Sequence, residues 1–270
     1  MESERAVSNY RRAFLQGIRR RERFIGSMRY VILILLIVVW EGAARLGVVD
    51  PFITSSPSRV AATIARLLEG GELFMHIGVT LLETVAGFVI GTILGTLIAA
   101  LLWWSNTLCR ILDPYLVVLN ALPKIALGPI LIVWIGAGIG SIIVMAVLIS
   151  LVVTIVTVLT GFLDTTDEKQ LLMRTLGASK WQIFRLVVLP ASIPTIVAAL
   201  KISVSMSWVG VIVGEYLVSK AGLGFLIVYG GQVFKLDLVM ASIVVLCILA
   251  ALMYYGVAFI EKKIARTQQV

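Results

Sequence analysis

Few side chains in this sequence could carry out chemistry, and they do not form a catalytic pattern. The chain has one histidine, His76, and its acidic residues are scattered, whereas an enzyme needs several clustered catalytic groups. No GxxxxGK[ST] phosphate-binding loop is present, so the chain has no ordinary means of holding ATP and Mg²⁺. The sequence therefore predicts no catalytic residue, metal site or cofactor in this chain. Any process in which the chain takes part and that needs energy must draw that energy from a partner or from a gradient.

Charged residues inside apolar segments are a second kind of candidate, because each costs about 3 kcal/mol near the centre of a bilayer. Lys124 lies between Pro123 and Gly128, where a broken helix could expose backbone to a cavity. A cation there could attract an anionic substrate, or the lysine could instead reach the headgroups or pair internally. Glu215 is also a candidate for the substrate pathway; it could brace Lys220 or the turn at 222–224, or take part in gating.

Three further polar residues have mainly structural interpretations. Lys201 is close enough to a span end to reach the headgroups, and Glu83 could be the buried partner of a lysine. His76 is expected at the membrane interface.

Small and polar residues also mark particular helix faces. Gly87, Gly91 and Gly95 repeat every four positions, which predicts close helix packing within one subunit or across a dimer, with a substrate groove as the alternative. Candidates for lining a transport pathway in a later span are Ser203, Ser205, Met206, Ser207 and Trp208.

The segment 164–192 has the densest polar helix signals. Thr165 and Glu168 have the spacing of a capping box, which predicts a helix over about 166–176. Gly177 is placed where a left-handed residue ends such a helix, and Ser179 begins another with Gln182 at capping-box spacing.

The second helix of this segment is amphipathic. Trp181, Phe184 and Val188 share a face, Lys180 and Arg185 are polar, and two prolines, at 190 and 194, are expected to stop the helix before the next span. A rigid turn that exposes Trp181 and Phe184 beside basic residues suits a helix-in-groove contact with a partner.

The elements that position these residues must lie in lipid. Hydrophobic residues make up 60% of the chain, charged residues 14%, and the mean hydropathy is +1.03. Six segments are long and apolar enough to span a membrane: 28–46, 78–104, 113–135, 141–163, 194–216 and 236–260.

Basic residues predict the orientation of these spans. Most of the 23 Lys and Arg residues fall in the N-terminal arm, the tail and the connections 105–112 and 164–192. Both termini and the 164–192 segment are therefore assigned to the cytoplasm. We expect a basic cytoplasmic arm over 1–29, a membrane domain over 30–265 and a tail over 266–270. The arm is too long for the basic region of a cleaved signal peptide. In the outer connection 47–76 a helix is predicted from Pro57, lying on the membrane or contacting an external partner.

At 164–192 the chain resembles the membrane-spanning permease subunits of binding-protein-dependent ABC importers. Their cytoplasmic loop has a Glu-Ala-Ala triplet, then three residues and a glycine, and a Leu-Pro pair at fixed spacing further on. Gly177, Val187, Leu189 and Pro190 match this pattern. The triplet does not match, since residues 171–173 are Leu-Leu-Met.

Two other stretches, 122–136 and 214–225, resemble the nitrate, sulfonate, taurine and bicarbonate permeases. The resemblance implies an all-α, polytopic type I ABC importer permease fold with about six transmembrane helices, in the bacterial inner membrane. It also implies a second permease copy in a homodimer, a cytoplasmic ATPase dimer that holds ATP and Mg²⁺, and an extracytoplasmic binding protein that delivers a small anion.

Within this resemblance, segment 171–181 is expected to dock in a cleft of the ATPase. The residues assigned to coupling are Leu171, Arg174, Gly177, Ala178, Ser179, Lys180, Trp181, Phe184 and Pro190. A gradient-driven secondary transporter is the alternative, although no internal repeat supports it.

Overall fold

The computed structural model describes residues 2–165 and 167–267, and every regular element in these ranges is helical. The all-α prediction is therefore confirmed for this part of the chain. The helices are α1 (Glu2–Arg45), α2 (Pro51–Thr54), α3 (Pro57–Glu69), α4 (Glu72–Trp104), α5 (Asn106–Ala121), a 3₁₀ turn (Lys124–Leu127), α6 (Gly128–Ile135), α7 (Ile139–Leu163), α8 (Asp167–Thr175), α9 (Lys180–Ile183), a π-helical turn (Phe184–Val188), α10 (Leu189–Val218), α11 (Leu223–Gln232) and α12 (Leu236–Thr267).

The chain divides into two units, residues 1–63 and the remainder from Ile64. In the first unit α1 contains both the predicted basic arm and the first predicted span. The Glu41 carboxylate accepts hydrogen bonds of 3.0 Å from the backbone N–H and the hydroxyl of Ser58, which ties the end of α1 to the first turn of α3. α3 begins at Pro57, as the sequence predicts.

Five helices are long and apolar enough to cross a membrane, and a bent pair supplies a sixth span if it is counted as one. This pair corrects the continuous span predicted over 113–135. α5 ends at Ala121, and the following 3₁₀ turn and α6 are inclined to it by 86°. Pro123 has no N–H to continue the helix and forces Leu122 into an extended conformation (φ −63°, ψ 132°).

α7 is the central helix of the second unit and packs against α4 and α10. The three glycines of α4 permit the close approach: a Cβ at Gly87 would lie 2.5 Å from that of Ala146, and one at Gly95 would lie 2.8 Å from Thr154. On α10, Gly210 lies equally close to the backbone of Ala146. The predicted role of the α4 glycines in helix packing is confirmed, and here it is packing within one subunit.

The fifth span is longer than predicted, because Pro190 and Pro194 do not stop the helix. Helical structure runs from Lys180 to Val218 without a break. A π-helical turn shifts the hydrogen-bond register before the prolines, with the Leu189 N–H bonded to the Phe184 carbonyl. Pro190 then lies in the first turn of α10, where a missing N–H costs little.

α11 (Leu223–Gln232) was not among the predicted elements. With only 10 residues it is too short to span a membrane, and its pattern of glycine and apolar residues does not distinguish a helix from a loop.

Candidate functional site

The turn between α8 and α9 has the two helix-ending signals that the sequence predicts. Gly177 has φ +78°, the left-handed conformation that glycine adopts without strain. The Ala178 N–H bonds to the Met173 carbonyl and the Gly177 N–H to the Arg174 carbonyl, both at 3.0 Å, which is the Schellman pattern. α8 therefore ends with its last carbonyls bonded and with a sharp change in direction.

The next helix begins with a complete capping box. The Ser179 hydroxyl accepts from the Gln182 N–H at 3.3 Å, and the Gln182 side-chain oxygen accepts from the Ser179 N–H at 2.7 Å. The capping box predicted at the start of α8 does not form. The Thr165 hydroxyl is buried and has no partner in the described residues, while the Thr165 carbonyl accepts from the Gln170 amide at 3.1 Å.

Lys180 attaches this turn to the end of α4. Its ammonium group donates to the carbonyl of Trp104, the last residue of α4, and lies 5.6 Å and 5.7 Å from the ring centroids of Trp103 and Trp104. A lysine at this position satisfies a free helix-end carbonyl and gains cation–π attraction. The predicted coupling residue Lys180 is therefore an internal tether.

Phe184 is buried, which corrects the prediction that it is exposed to a partner. It is only 8% exposed, and its ring centroid lies 5.0 Å from Trp103 and 5.4 Å from Phe162. Val188 on the same face is fully buried. The amphipathic face recognised in the sequence faces the core of the chain, because the helix continues into a span that packs on α4 and α7.

The surface that remains available is formed mainly by α8. Four apolar side chains on α8 and in the few residues that follow it are more than half exposed: Leu171, Leu172, Leu176 and Trp181. Arg174 lies on the same surface and lines two open cavities of about 260 and 280 Å³. We call these five residues the α8 surface.

Most of the predicted pathway residues are enclosed within the chain. Ser203 and Ser207 are fully buried, while Trp208 and Glu215 are less than 10% exposed. The Ser203 hydroxyl bonds with the Thr154 hydroxyl of α7 at 3.0 Å. These residues therefore connect helices. The exposed stripe of α10 contains Ile202, Ser205 and Val209, with Met206 partly exposed beside it.

Two lysines in apolar segments have partners inside the chain. The Lys124 ammonium donates to the Asn120 carbonyl at 3.1 Å, so it caps the end of α5 at the bend. Lys201 forms an ion pair with Glu261 of α12. The geometry of Lys124 favours the internal-pairing interpretation over a substrate contact.

Glu215 braces the turn at 222–224, one of the roles that the sequence suggested for it. Its carboxylate accepts from the backbone N–H groups of Gly224 and Phe225 at the start of α11. The prediction that Glu83 is the partner of a lysine is wrong, since Glu83 lies beside Glu215. His76 is buried within the chain and accepts from the Gly222 N–H at 2.9 Å.

Sequence reasoning missed Trp103, Trp104 and Thr80. The tryptophans are the last two residues of α4, and aromatic residues at the ends of spans are a usual interfacial signal that could have indicated them. Thr80 has no such signal. Its role depends on the approach of α11, which is distant in sequence.

The comparisons with known proteins agree with this geometry. The family model described as "Binding-protein-dependent transport system inner membrane component" matches residues 87–266. The putative aliphatic sulfonates transport permease protein SsuC of Bacillus subtilis is 28% identical over 248 residues, covering 91% of this chain and 89% of that protein. The formylaminopyrimidine transport permease protein ThiX of Halalkalibacterium halodurans is 31% identical over 192 residues, covering 71% and 76%.

A solved structure shows the same fold. A chain of the inward-facing MetNI methionine ABC transporter superimposes with a TM-score of 0.64 at 22% identity, covering 71% of this chain and 95% of that chain. The predicted type I importer permease fold is confirmed.

Proposed function

Because the chain belongs to the family of inner membrane components of binding-protein-dependent transport systems, we propose that two copies of it form the pathway of an ATP-driven importer for a small anion. Family membership makes the chain a multi-pass permease subunit of an ABC transporter, and ATP is hydrolysed by a separate subunit. This family membership contradicts the alternative of a gradient-driven carrier.

We place the ATPase contact at the α8 surface, with this surface and both termini in the cytoplasm. The observation that carries this proposal is a set of exposed leucines and one tryptophan on a turn that is held rigid at both helix ends. Exposed apolar groups on a rigid element lose little conformational entropy when a partner covers them. The contacts of Lys180 and Phe184 attach this surface to α4 and α10.

The continuous helix from Lys180 to Val218 provides the route for coupling. It begins at the turn that we assign to the ATPase and ends at the start of the α11 region. Movement of the docked turn would therefore tilt a span directly, without passing through a flexible loop.

The docking proposal is tested with Leu171→Ala in the purified permease–ATPase complex. Leu171 is 62% exposed in the chain, so the proposed ATPase would bury its side chain on docking. Truncation to alanine should remove about 1.5 kcal/mol of this apolar burial and weaken ATPase binding about tenfold. Leu252→Ala on α12 is the matched control, since Leu252 is 63% exposed but lies far along the chain in a span. Equal affinities of both variants for the ATPase would contradict the assignment of the α8 surface.

The proposed cargo is a small anion of the aliphatic sulfonate, taurine, nitrate or bicarbonate type, delivered by an extracytoplasmic binding protein. Support comes from the resemblance at 122–136 and 214–225 and from the similarity to a sulfonate permease. Calorimetric titration of the binding protein that stimulates this transporter, with each anion and with formylaminopyrimidine, tests the assignment. Binding of the pyrimidine alone would contradict it. Native mass spectrometry of the complex tests the homodimer by counting its permease copies.

A further inference from the structure

A polar cluster is buried where α4, α10 and α11 meet, away from the α8 surface. Its side chains are His76, Thr80 and Glu83 of α4 and Glu215 of α10, and all four are less than 10% exposed. The backbone of 222–225 at the start of α11 completes it. We call this group the α11 anchor.

The anchor satisfies the N–H groups that the start of a helix leaves without partners. The Gly222 N–H donates to the His76 Nδ1 at 2.9 Å, and the Leu223 N–H donates to the Thr80 hydroxyl oxygen at 2.8 Å. The N–H groups of the next two residues donate to Glu215 Oε2, and the Thr80 hydroxyl donates to Glu215 Oε1 at 2.6 Å. A carboxylate at a helix N-terminus is also favoured by the helix dipole.

Two glycines of this turn leave room for the Glu215 carboxylate. A Cβ added at Gly224 would lie 2.7 Å from Glu215 Oε2, and Gly222 would place a Cβ against the same carboxylate at φ +111°. The carboxylate and the glycine turn therefore form one built contact, in which the backbone has to approach the charge closely.

Glu83 does not fit this arrangement if it is charged. It is fully buried, and neither of its oxygens receives a hydrogen bond from any residue in the described part of the chain. Its carboxyl group nevertheless lies beside that of Glu215, close enough for the two groups to interact. Two neighbouring buried carboxylates that are both charged repel each other strongly, whereas a single proton shared by the pair allows one group to donate a hydrogen bond to the other. Other titratable side chains near the pair are His76 and Tyr216, with Glu72 close to His76.

We propose that Glu83 is a neutral carboxylic acid whose hydroxyl donates to the Glu215 carboxylate, so that one proton and one negative charge hold α11 on α4 and α10. Glu83 and Glu215 are thus positioning residues for α11. Their part in transport rests on the proposed function: α10 connects the turn assigned to the ATPase with the anchor, and a tilt of α10 carries α11 with it.

Infrared spectroscopy of the purified permease–ATPase complex tests the shared proton without any need for cargo. We expect the wild type to show the C=O stretching band of a protonated carboxylic acid, shifted in D₂O and absent in Glu83→Gln. Glu72→Gln is the matched control, an acid at the start of the same helix, and it should retain the band. A band that is missing in the wild type, or unchanged in Glu83→Gln, would overturn the proposal.

Uptake by the Glu83 and Glu215 variants tests whether the shared proton and charge matter for transport. A glutamine at 83 can still donate to Glu215, so Glu83→Gln should keep uptake within about twofold of wild type. Glu215→Gln leaves a buried donor unpaired and should reduce uptake at least about tenfold. If folded Glu83→Gln loses uptake as severely as Glu215→Gln, Glu83 acts as a charged group and the inference is wrong. Failure of ATPase docking is measured separately by co-purification, so it is distinguishable from failure of the anchor.

Discussion

Substituting Gly177 isolates the conformational demand of the turn between α8 and α9. Nothing lies within 4 Å of a Cβ built at this position, so a new side chain meets no steric obstacle. The backbone is nevertheless left-handed, with φ +78°, and an L-residue in this conformation costs about 1–2 kcal/mol. The population of the native turn should therefore fall by a factor of about 5–30 in Gly177→Ala.

A graded series distinguishes this cause from a general loss of stability. Asparagine tolerates the left-handed region, so Gly177→Asn should stay close to wild type, whereas a β-branched residue is a strong outlier there and Gly177→Val should be the most impaired. The assay is cargo-dependent ATPase activity and uptake in proteoliposomes, with thermal unfolding of each variant as the control. We expect uptake per ATP hydrolysed to fall in the order Gly, Asn, Ala, Val. Wild-type coupling in Gly177→Val would refute the requirement for a rigid left-handed turn.

Three further predictions concern Gly95, Lys180 and Lys124. Gly95→Val should destabilise the chain by about 2 kcal/mol or more, because the valine side chain would overlap Thr154. In the control Gly78→Ala the new Cβ meets nothing within 4 Å, so stability should not fall. Thermal unfolding of the two variants checks this. Lys180→Met should weaken the cation–π tether and lower uptake several-fold, and an equal loss in Lys180→Arg would argue against a simple cationic tether. Lys124→Met should leave the apparent affinity for anions unchanged in uptake titrations, since its ammonium group caps α5; a tenfold loss of affinity would return it to the pathway.

The sequence alone was sufficient for the features that depend on local chemistry. Apolar length identified where the spans lie, although not the bend within 113–135, because any backbone in lipid has to satisfy its own hydrogen bonds. The glycine ending of α8 and the capping box at Ser179 were also predictable, since each depends on residues only a few positions apart.

Only the tertiary structure decided which faces are covered. Phe184 has the spacing of an exposed anchor, but two tryptophans from α4 and a phenylalanine from α7 enclose it. Glu83 and Glu215 lie far apart in sequence and belong to different spans, so their contact depends on how α4 and α10 pack around α7. Periodicity shows that a helix has an apolar or a polar face, but which helix covers that face depends on segments that are distant in the sequence.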